Sequence, residues 1–148
     1  VLIRTGRIDE KAALEALQMR ASLEGGSYRD ALLAHPEVVE IPERQLSAGY
    51  VLVAEADGAL LGLAALEFPS AGEAELDGLF VHPDAWGRGV GRALLDACEA
   101  LVRATDARVM TVVANPDARA FYLRCGFVET GTAQTLFGPA LAMRKAVA

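Results

Sequence analysis

The stretch Val81-His82-Pro83-Asp84-Ala85-Trp86-Gly87-Arg88-Gly89-Val90-Gly91-Arg92-Ala93-Leu94-Leu95 constrains the fold more than any other part of the chain. It reads as a strand end, a glycine-dense turn and a helix start in immediate succession. Glycines at 87, 89 and 91 allow a sharp bend and leave successive N–H groups unobstructed, and the following helix adds the positive end of its dipole. A phosphate group is the ligand that suits such a turn. The helix itself is clearly marked. Val90, Ala93, Leu94, Ala97, Cys98, Leu101 and Val102 recur at intervals of three and four, with Arg92, Asp96, Glu99 and Arg103 opposite them.

Around this stretch the pattern alternates between strand and helix. Val1 to Arg4 is a plausible first strand. Asp9 is expected to cap a helix running to about Ala21, with Leu14, Leu17 and Ala21 inward and Glu10, Lys11, Glu15 and Gln18 on the wet side. Gly25-Gly26 stops that helix, and Ser27 with Asp30 resembles a capping box for a short helix from Tyr28 to Ala34, ending ahead of Pro36. Pro42 opens one more helical turn, closed at Gly49. From Tyr50 the period changes: Tyr50 to Ala56, the turn dipeptide Asp57-Gly58 and Ala59 to Phe68 predict a hairpin, and Glu73 to His82 a third strand. After the glycine turn and its helix, Arg108 to Val113 is a β-branched strand. Asn115-Pro116 then supplies an N-cap and first-turn proline for a helix reaching Arg124 or Cys125, where Gly126 ends it. Phe127 to Gln134 and Leu141 to Ala146 are two further strands, paired with each other around Gly138-Pro139. The order is β-α-α-β-β-β-α-β-α-β-β. That is an α/β fold with a mixed, mostly antiparallel central sheet flanked by helices rather than a doubly wound parallel sheet. Without repeat or linker, residues 1–148 are expected to form one domain.

Composition narrows the function. Hydrophobic residues make up 53% and charged residues 23%, enough for a real core, and no apolar run approaches the roughly 20 residues that span a bilayer. A net charge of −6 argues against nucleic acid as the main partner and favours cationic small molecules. Two cysteines cannot build a disulfide framework and the two histidines stand isolated, so no metal is expected and a reducing cytoplasm fits best. Val1 is not an initiator methionine, so a removed targeting segment upstream stays open.

Several classes of protein place a glycine turn between strand and helix. The phosphate loop of nucleotide hydrolases requires Gly-Lys-Ser/Thr, and here Gly91 is followed by Arg92-Ala93. The dinucleotide fingerprint G-x-G-x-x-G fails as well, because the glycines run G-x-G-x-G and the preceding strand follows a hairpin. A plain tight turn would remain if the loop stood alone. It is accompanied by Val81-x-Pro83 and, about two dozen residues after Gly91, by Asn115-x-x-Ala118-x-x-Phe121-Tyr122-x-x-x-Gly126-Phe127. Together these resemble the GNAT superfamily of acetyl-CoA-dependent N-acetyltransferases. The sharp motifs lie between Leu79 and Phe127, while the element order agrees from Val1 to Val147.

The resemblance implies a set of roles. The N–H groups of Gly87, Arg88, Gly89, Val90 and Gly91 would cradle the CoA pyrophosphate, with Arg88 or Arg92 adding charge or simply facing solvent. Backbone at Leu79, Phe80 and Val81 would meet the thioester, one N–H there polarising its carbonyl. Tyr122 would protonate the departing thiolate, a role open to a phenol because it is protonated at neutral pH. Asn115 would touch the pantetheine arm or serve only as a helix cap. The general base would be Glu75 or Asp77, directly or through water; i and i+2 on a strand share a face, so spacing does not choose, and a bulge at Gly78 would break the alternation. One residue departs from the family pattern. Trp86 stands where Gln or Arg is usual, which implies a lost polar contact, weaker CoA binding and an indole that covers the adenine or packs on the domain.

The implied activity is transfer of an acetyl group from acetyl-CoA to a primary amine on a small molecule, or on a peptide or protein, by direct attack in a ternary complex. The rival is a non-catalytic CoA- or acyl-CoA-binding sensor or partner module, and a third reading is an α/β nucleotide-binding protein unrelated to CoA. Arg20, Ser22, Tyr28 and Arg29 fall where this family builds its acceptor pocket and take no assigned role. Cys98 is expected to be an inert core thiol, Cys125 a more exposed one without a paired histidine, and His82 a loop residue. The strands from Phe127 onward could support a homodimer.

Overall fold

Asp57 and Gly58 both take positive φ, 53° and 81°, which gives the two-residue turn whose twist matches its flanking strands. In the computed structural model, which describes residues 1–25 and 28–147, that turn joins β2 (Val51–Ala56) to β3 (Ala59–Ser70). β1 (Leu2–Thr5) lies antiparallel on β2, and β4 (Glu73–Val81) antiparallel on β3. β4 then pairs in parallel with β5 (Val109–Ala114). β6 (Val128–Thr135) and β7 (Gly138–Ala146) form the expected hairpin, with β7 inserted against β5, so the sheet order is β1-β2-β3-β4-β5-β7-β6. The mixed, mostly antiparallel sheet is therefore the one that the element pattern predicts.

Helices cover both faces. α1 (Lys11–Gly25), α2 (Arg29–Ala34) and α3 (Glu43–Ser47) precede the hairpin, α4 (Val90–Arg103) follows β4, and α5 (Arg119–Arg124) follows β5. Leu14 and Leu17 of α1 pack with Val51, Val53 and Leu63 on one face of the sheet. Leu94, Leu95 and Cys98 of α4 pack with Leu66, Leu76, Met110 and Phe127 on the other. Strand alternation sends Val51 and Val53 to the first core and Leu52 and Ala54 to the second, so β2 is buried on both sides. No helix among the described residues is long and apolar enough to cross a membrane.

The amino-terminal third departs from expectation. α1 begins at Lys11 behind a 3-10 turn, Ile8–Glu10, whose N-cap is Arg7 rather than Asp9. A second 3-10 turn, Pro36–Val39, fills what read as a break, since proline is well tolerated in a first turn. The proposed stop at Gly26 and cap at Ser27 lie outside the described residues. Glu10, expected on the wet side, is 9% exposed. Its two oxygens accept from Arg4 at 2.9 and 2.8 Å, and Oε1 also accepts from the Arg7 N–H at 2.9 Å. Arg4 in turn donates to Glu55 at 2.8 Å, so one guanidinium ties the entry of α1 to β1 and β2.

This cluster sets an acid limit on stability. The Arg4 hydrogen bond holds the Glu10 carboxyl down at about 2, against 4.5 for a free one. A carboxyl with a depressed folded pKa stabilises above its unfolded value and loses that contribution as pH falls through the folded one. Glu10→Gln should cost about 2 kcal/mol at neutral pH, or roughly 4–8 °C in Tm for a chain of this size. In thermal melts across a pH series, the gap between variant and parent should narrow from pH 4.5 towards pH 2. A gap that stays constant over that range would count against the ion pair as its source.

Candidate functional site

β4 and β5 pair only from Glu73 to Leu76 and from Val109 to Val112, after which β4 runs on to Val81 without a partner on that side. The strands thus fork. At the fork β4 carries a bulge: Leu76 pairs with Leu66 and Gly78 with Ala65, leaving Asp77 as the extra residue. The bulge resets the alternation. Leu76, Leu79 and Val81 all face the α4 core, while Phe80 packs into the α1 core. His82 N–H donates to Leu61 O at 2.7 Å across the hairpin. By antiparallel alternation the main-chain groups of Phe80 also point to β3, and those of Leu79 and Val81 point into the fork.

Beyond Val81 the chain makes a 3-10 turn, Pro83–Ala85, with His82 Nδ1 accepting from the Asp84 N–H at 3.1 Å. His82 is therefore a capping residue of the loop. Gly87 and Gly89 follow at φ 77° and 79°, a conformation costly for any residue with a Cβ. Gly91 is already helical and does not need that freedom; its bare Cα lies beside the Phe121 ring. Gly89 is the N-cap of α4 and supplies no side-chain cap. The first N–H to find an intrahelical acceptor is that of Ala93, on Gly89 O at 3.0 Å, so the N–H groups of Val90, Gly91 and Arg92 have no intrahelical partner. An uncapped helix start of this kind suits an anion.

α5 supplies the facing wall. Asn115 Oδ1 accepts from the Asp117 N–H at 2.9 Å and caps the 3-10 turn Pro116–Ala118 that leads into α5. Tyr122 follows, 6% exposed, its ring edge-on to Phe121 (centroids 5.2 Å, 77°) and to Phe127 (5.3 Å, 73°). Burial pushes its phenol well above the ordinary value, so it stays protonated at any physiological pH.

Between these elements lies a cleft of about 650 Å³. Leu79, Phe80, Val81, Trp86, Gly87, Gly89, Val90, Gly91, Arg92 and Tyr122 all line it. Arg88 and Asn115 do not: the Arg88 guanidinium turns back onto Asp84 O at 2.7 Å, and Asn115 is occupied as a cap. Glu75 and Asp77 also lie off the cleft, at the fork, and Asp77 borders a smaller neighbouring pocket. Trp86 neither leaves the cleft nor buries itself. Its Nε1 donates to Val81 O at 2.7 Å, and the residue remains 49% exposed at the rim.

Arg124 and Cys125 depart from the sequence reading. Arg124 joins Arg92 as a second cation in the lining, and the signal was available, since Asp117, Phe121 and Arg124 lie at helical spacing on one stripe. Cys125, expected to be relatively exposed, is 3% exposed, and burial raises its thiol pKa. Cys98 is fully buried and pushed to about 12, as befits a core thiol.

Comparison with known proteins places this geometry. The family model described as the Acetyltransferase (GNAT) family matches residues 17–127. The chain belongs to the GNAT acetyltransferase family. Among solved structures, this GNAT chain is similar to PaiA N-acetyltransferase from Thermoplasma acidophilum in complex with coenzyme A, at 19% identity over 98% of both chains with a TM-score of 0.83. It is similar to a GCN5-related N-acetyltransferase structure from Rhodopseudomonas palustris, at 25% identity over 98% of this chain and 94% of that one, TM-score 0.79. Ribosomal-protein-alanine N-acetyltransferase from Brucella melitensis is 26% identical over 99% of both, TM-score 0.75. No curated protein gives a significant match. The GNAT chain's own residues fit a CoA: an uncapped helix start for a diphosphate, two arginines in the lining, and a fork edge whose main-chain groups have no strand partner.

Proposed function

We propose that this GNAT chain transfers an acetyl group from acetyl-CoA to a primary amine in a ternary complex. One observation carries the reading: the buried, protonated Tyr122 lines the same cleft as the uncapped start of α4 and the unpaired edge of β4. The Val90 to Arg92 N–H groups, with Arg92 and Arg124, hold the phosphates. The fork-facing N–H groups of Leu79 and Val81 meet the charge that develops on the thioester oxygen. Tyr122 gives its proton to the departing sulfur.

Glu75 is the base. It stands on the last rungs of β4–β5 pairing beside the fork, half-buried, and burial together with Asp77, Glu67 and Glu73 raises its pKa towards the working range of a general base. Asp77 is exposed on the bulge itself. The amine reaches Glu75 directly or through one water.

Trp86 favours one alternative, a domain that binds CoA without turnover, because its indole takes the Val81 carbonyl at the cleft edge. A thiol-release assay with acetyl-CoA and a panel of primary amines separates the two. Acetyl transfer predicts acceptor-dependent thiol, slowed about 100-fold or more in Glu75→Gln with loss of the acid limb of the pH–rate profile, while Asp77→Asn keeps that limb. Thermal stabilisation by CoA with no thiol released by any amine would establish the binding module instead.

A further inference from the structure

Two walls of the large cleft are joined behind it by one lysine. Lys145 lies on β7 two residues beyond the core residue Met143 and opposite Met110 of β5, so strand alternation points it to the α4 side of the sheet. Its Nζ lies 2.9 and 3.0 Å from the two Glu99 oxygens and donates to Cys125 O at 2.7 Å. Glu99 belongs to α4, whose uncapped start faces the cleft, and Cys125 caps the end of α5, which carries Tyr122. One ammonium therefore links β7, α4 and the end of α5.

The link is built into the fold on each side. Glu99 is 6% exposed on an otherwise apolar helix face, where a carboxylate is tolerable only beside a cation; Arg103 reaches it too, but from the surface and at 3.8 Å. At the end of α5, Tyr122 O and Leu123 O accept from the Phe127 and Gly126 N–H groups, and the carbonyl of Cys125 takes the lysine. Gly126 leaves room for that side chain: it turns the chain at φ 93°, and a Cβ there would stand 3.2 Å from Lys145 Cε. α5 itself has six residues, too few to hold a place without anchors. Arg119 ties its first turn to Glu129 on β6, and Lys145 ties its end to α4.

We infer that Lys145 is a positioning residue for the reaction: by holding Cys125 O against Glu99 it fixes the end of α5 relative to α4, and so sets Tyr122 against the sulfur of a cofactor whose phosphates rest on α4. The inference rests on the acetyltransferase reading above. Lys145 does not line the cleft and touches no reactant; it acts through Tyr122. Transfer of a proton is steeply sensitive to placement, a shift of about 1 Å costing up to roughly 100-fold. Cofactor affinity is not, because the Val90 to Arg92 N–H groups lie well upstream of Glu99 on α4.

Thiol-release kinetics on two variants, each with a thermal melt, test this. Lys145→Met keeps the unbranched stem and removes the donor; it should lower Tm, because Glu99 loses its close partner, and lower kcat about 10-fold with KM for acetyl-CoA changed by less than roughly 3-fold. Lys145→Met combined with Glu99→Met makes both partners apolar, so Tm should return towards the parent value while kcat stays low, since Cys125 O still has no lysine to hold it. In a Tyr122→Phe background, Lys145→Met should lower kcat little further. If kcat recovers together with Tm in the double variant, or never falls in Lys145→Met, the pair is only structural and the positioning role is overturned. A rise in KM for acetyl-CoA that matches the fall in kcat, or full additivity with Tyr122→Phe, overturns it as well. Should Lys145→Met not fold, the double variant decides alone: parent Tm with low kcat supports the role, and parent kcat overturns it. A parent protein that releases no thiol with any primary amine overturns the acetyltransferase reading, and the role of Lys145 with it.

Discussion

Tyr122→Phe is expected to lower kcat by about 100- to 10,000-fold while changing KM for acetyl-CoA by less than roughly 3-fold. The separation follows from where the hydroxyl sits. The Tyr122 ring is packed edge-on by Phe121 and Phe127, and its hydroxyl donates no hydrogen bond among the described residues, so phenylalanine keeps the ring contacts. The fold and the proposed phosphate cradle, main chain at the uncapped start of α4, should be unaffected. What disappears is the acidic proton that the proposed reaction gives to the departing sulfur. Steady-state kinetics at saturating acceptor, with a thermal melt to show an unchanged Tm, checks the assignment. An unchanged kcat would remove Tyr122 from the reaction and leave it a core aromatic.

The features legible in the sequence are those whose physics is local. Asp57-Gly58 dictates its turn through backbone conformation alone, and the turn sets the first β2–β3 pairs, Ala56 with Ala59 and Glu55 with Leu60, before a bulge shifts the register at Ala54. The loop at 87–91 and the cap at Asn115 were equally plain, because each depends on residues within one turn. Tyr122 could be singled out only through the family resemblance carried by Asn115 to Phe127, and its burial could not. What stayed hidden depends on distant partners. Glu10 looks like a surface residue by helical spacing, and only Arg4 on β1, linked to Glu55 on β2, explains its burial. Arg88 looks like a phosphate ligand by position, but its side chain closes on Asp84 O and never enters the cleft. Gly78 points to a bulge in the sequence, yet only the β3 register identifies Asp77 as the extra residue and so explains why Leu79 and Val81, rather than Phe80, face α4. Gln45 gave no signal at all, since the pocket that it lines is assembled from four separate stretches of chain.

Phe127→Ala should be the most destabilising single change named here, and it should impair catalysis by a route other than that of Tyr122→Phe. Phe127 is 1% exposed and sits just past the end of α5, where its N–H donates to Tyr122 O at 3.0 Å. Its ring lies 5.3 Å from that of Tyr122, so it supports the proposed acid edge-on while filling the core between α4 and β7. Truncation removes the ring and leaves a cavity, for which about 3–5 kcal/mol is the usual loss. For a chain of this length that is a fall of roughly 10 °C in Tm. Phe127→Leu, which keeps most of the volume, should lose distinctly less. Below the melting transition, Phe127→Ala should also lower kcat, because the phenol loses one of its two edge-on neighbours. The two effects are coupled through a single contact, so kcat losses should not add: in a Tyr122→Phe background, Phe127→Ala has no acid left to misplace and should lower kcat little further. Full additivity in that double-mutant cycle would show that Phe127 acts on the reaction independently of Tyr122.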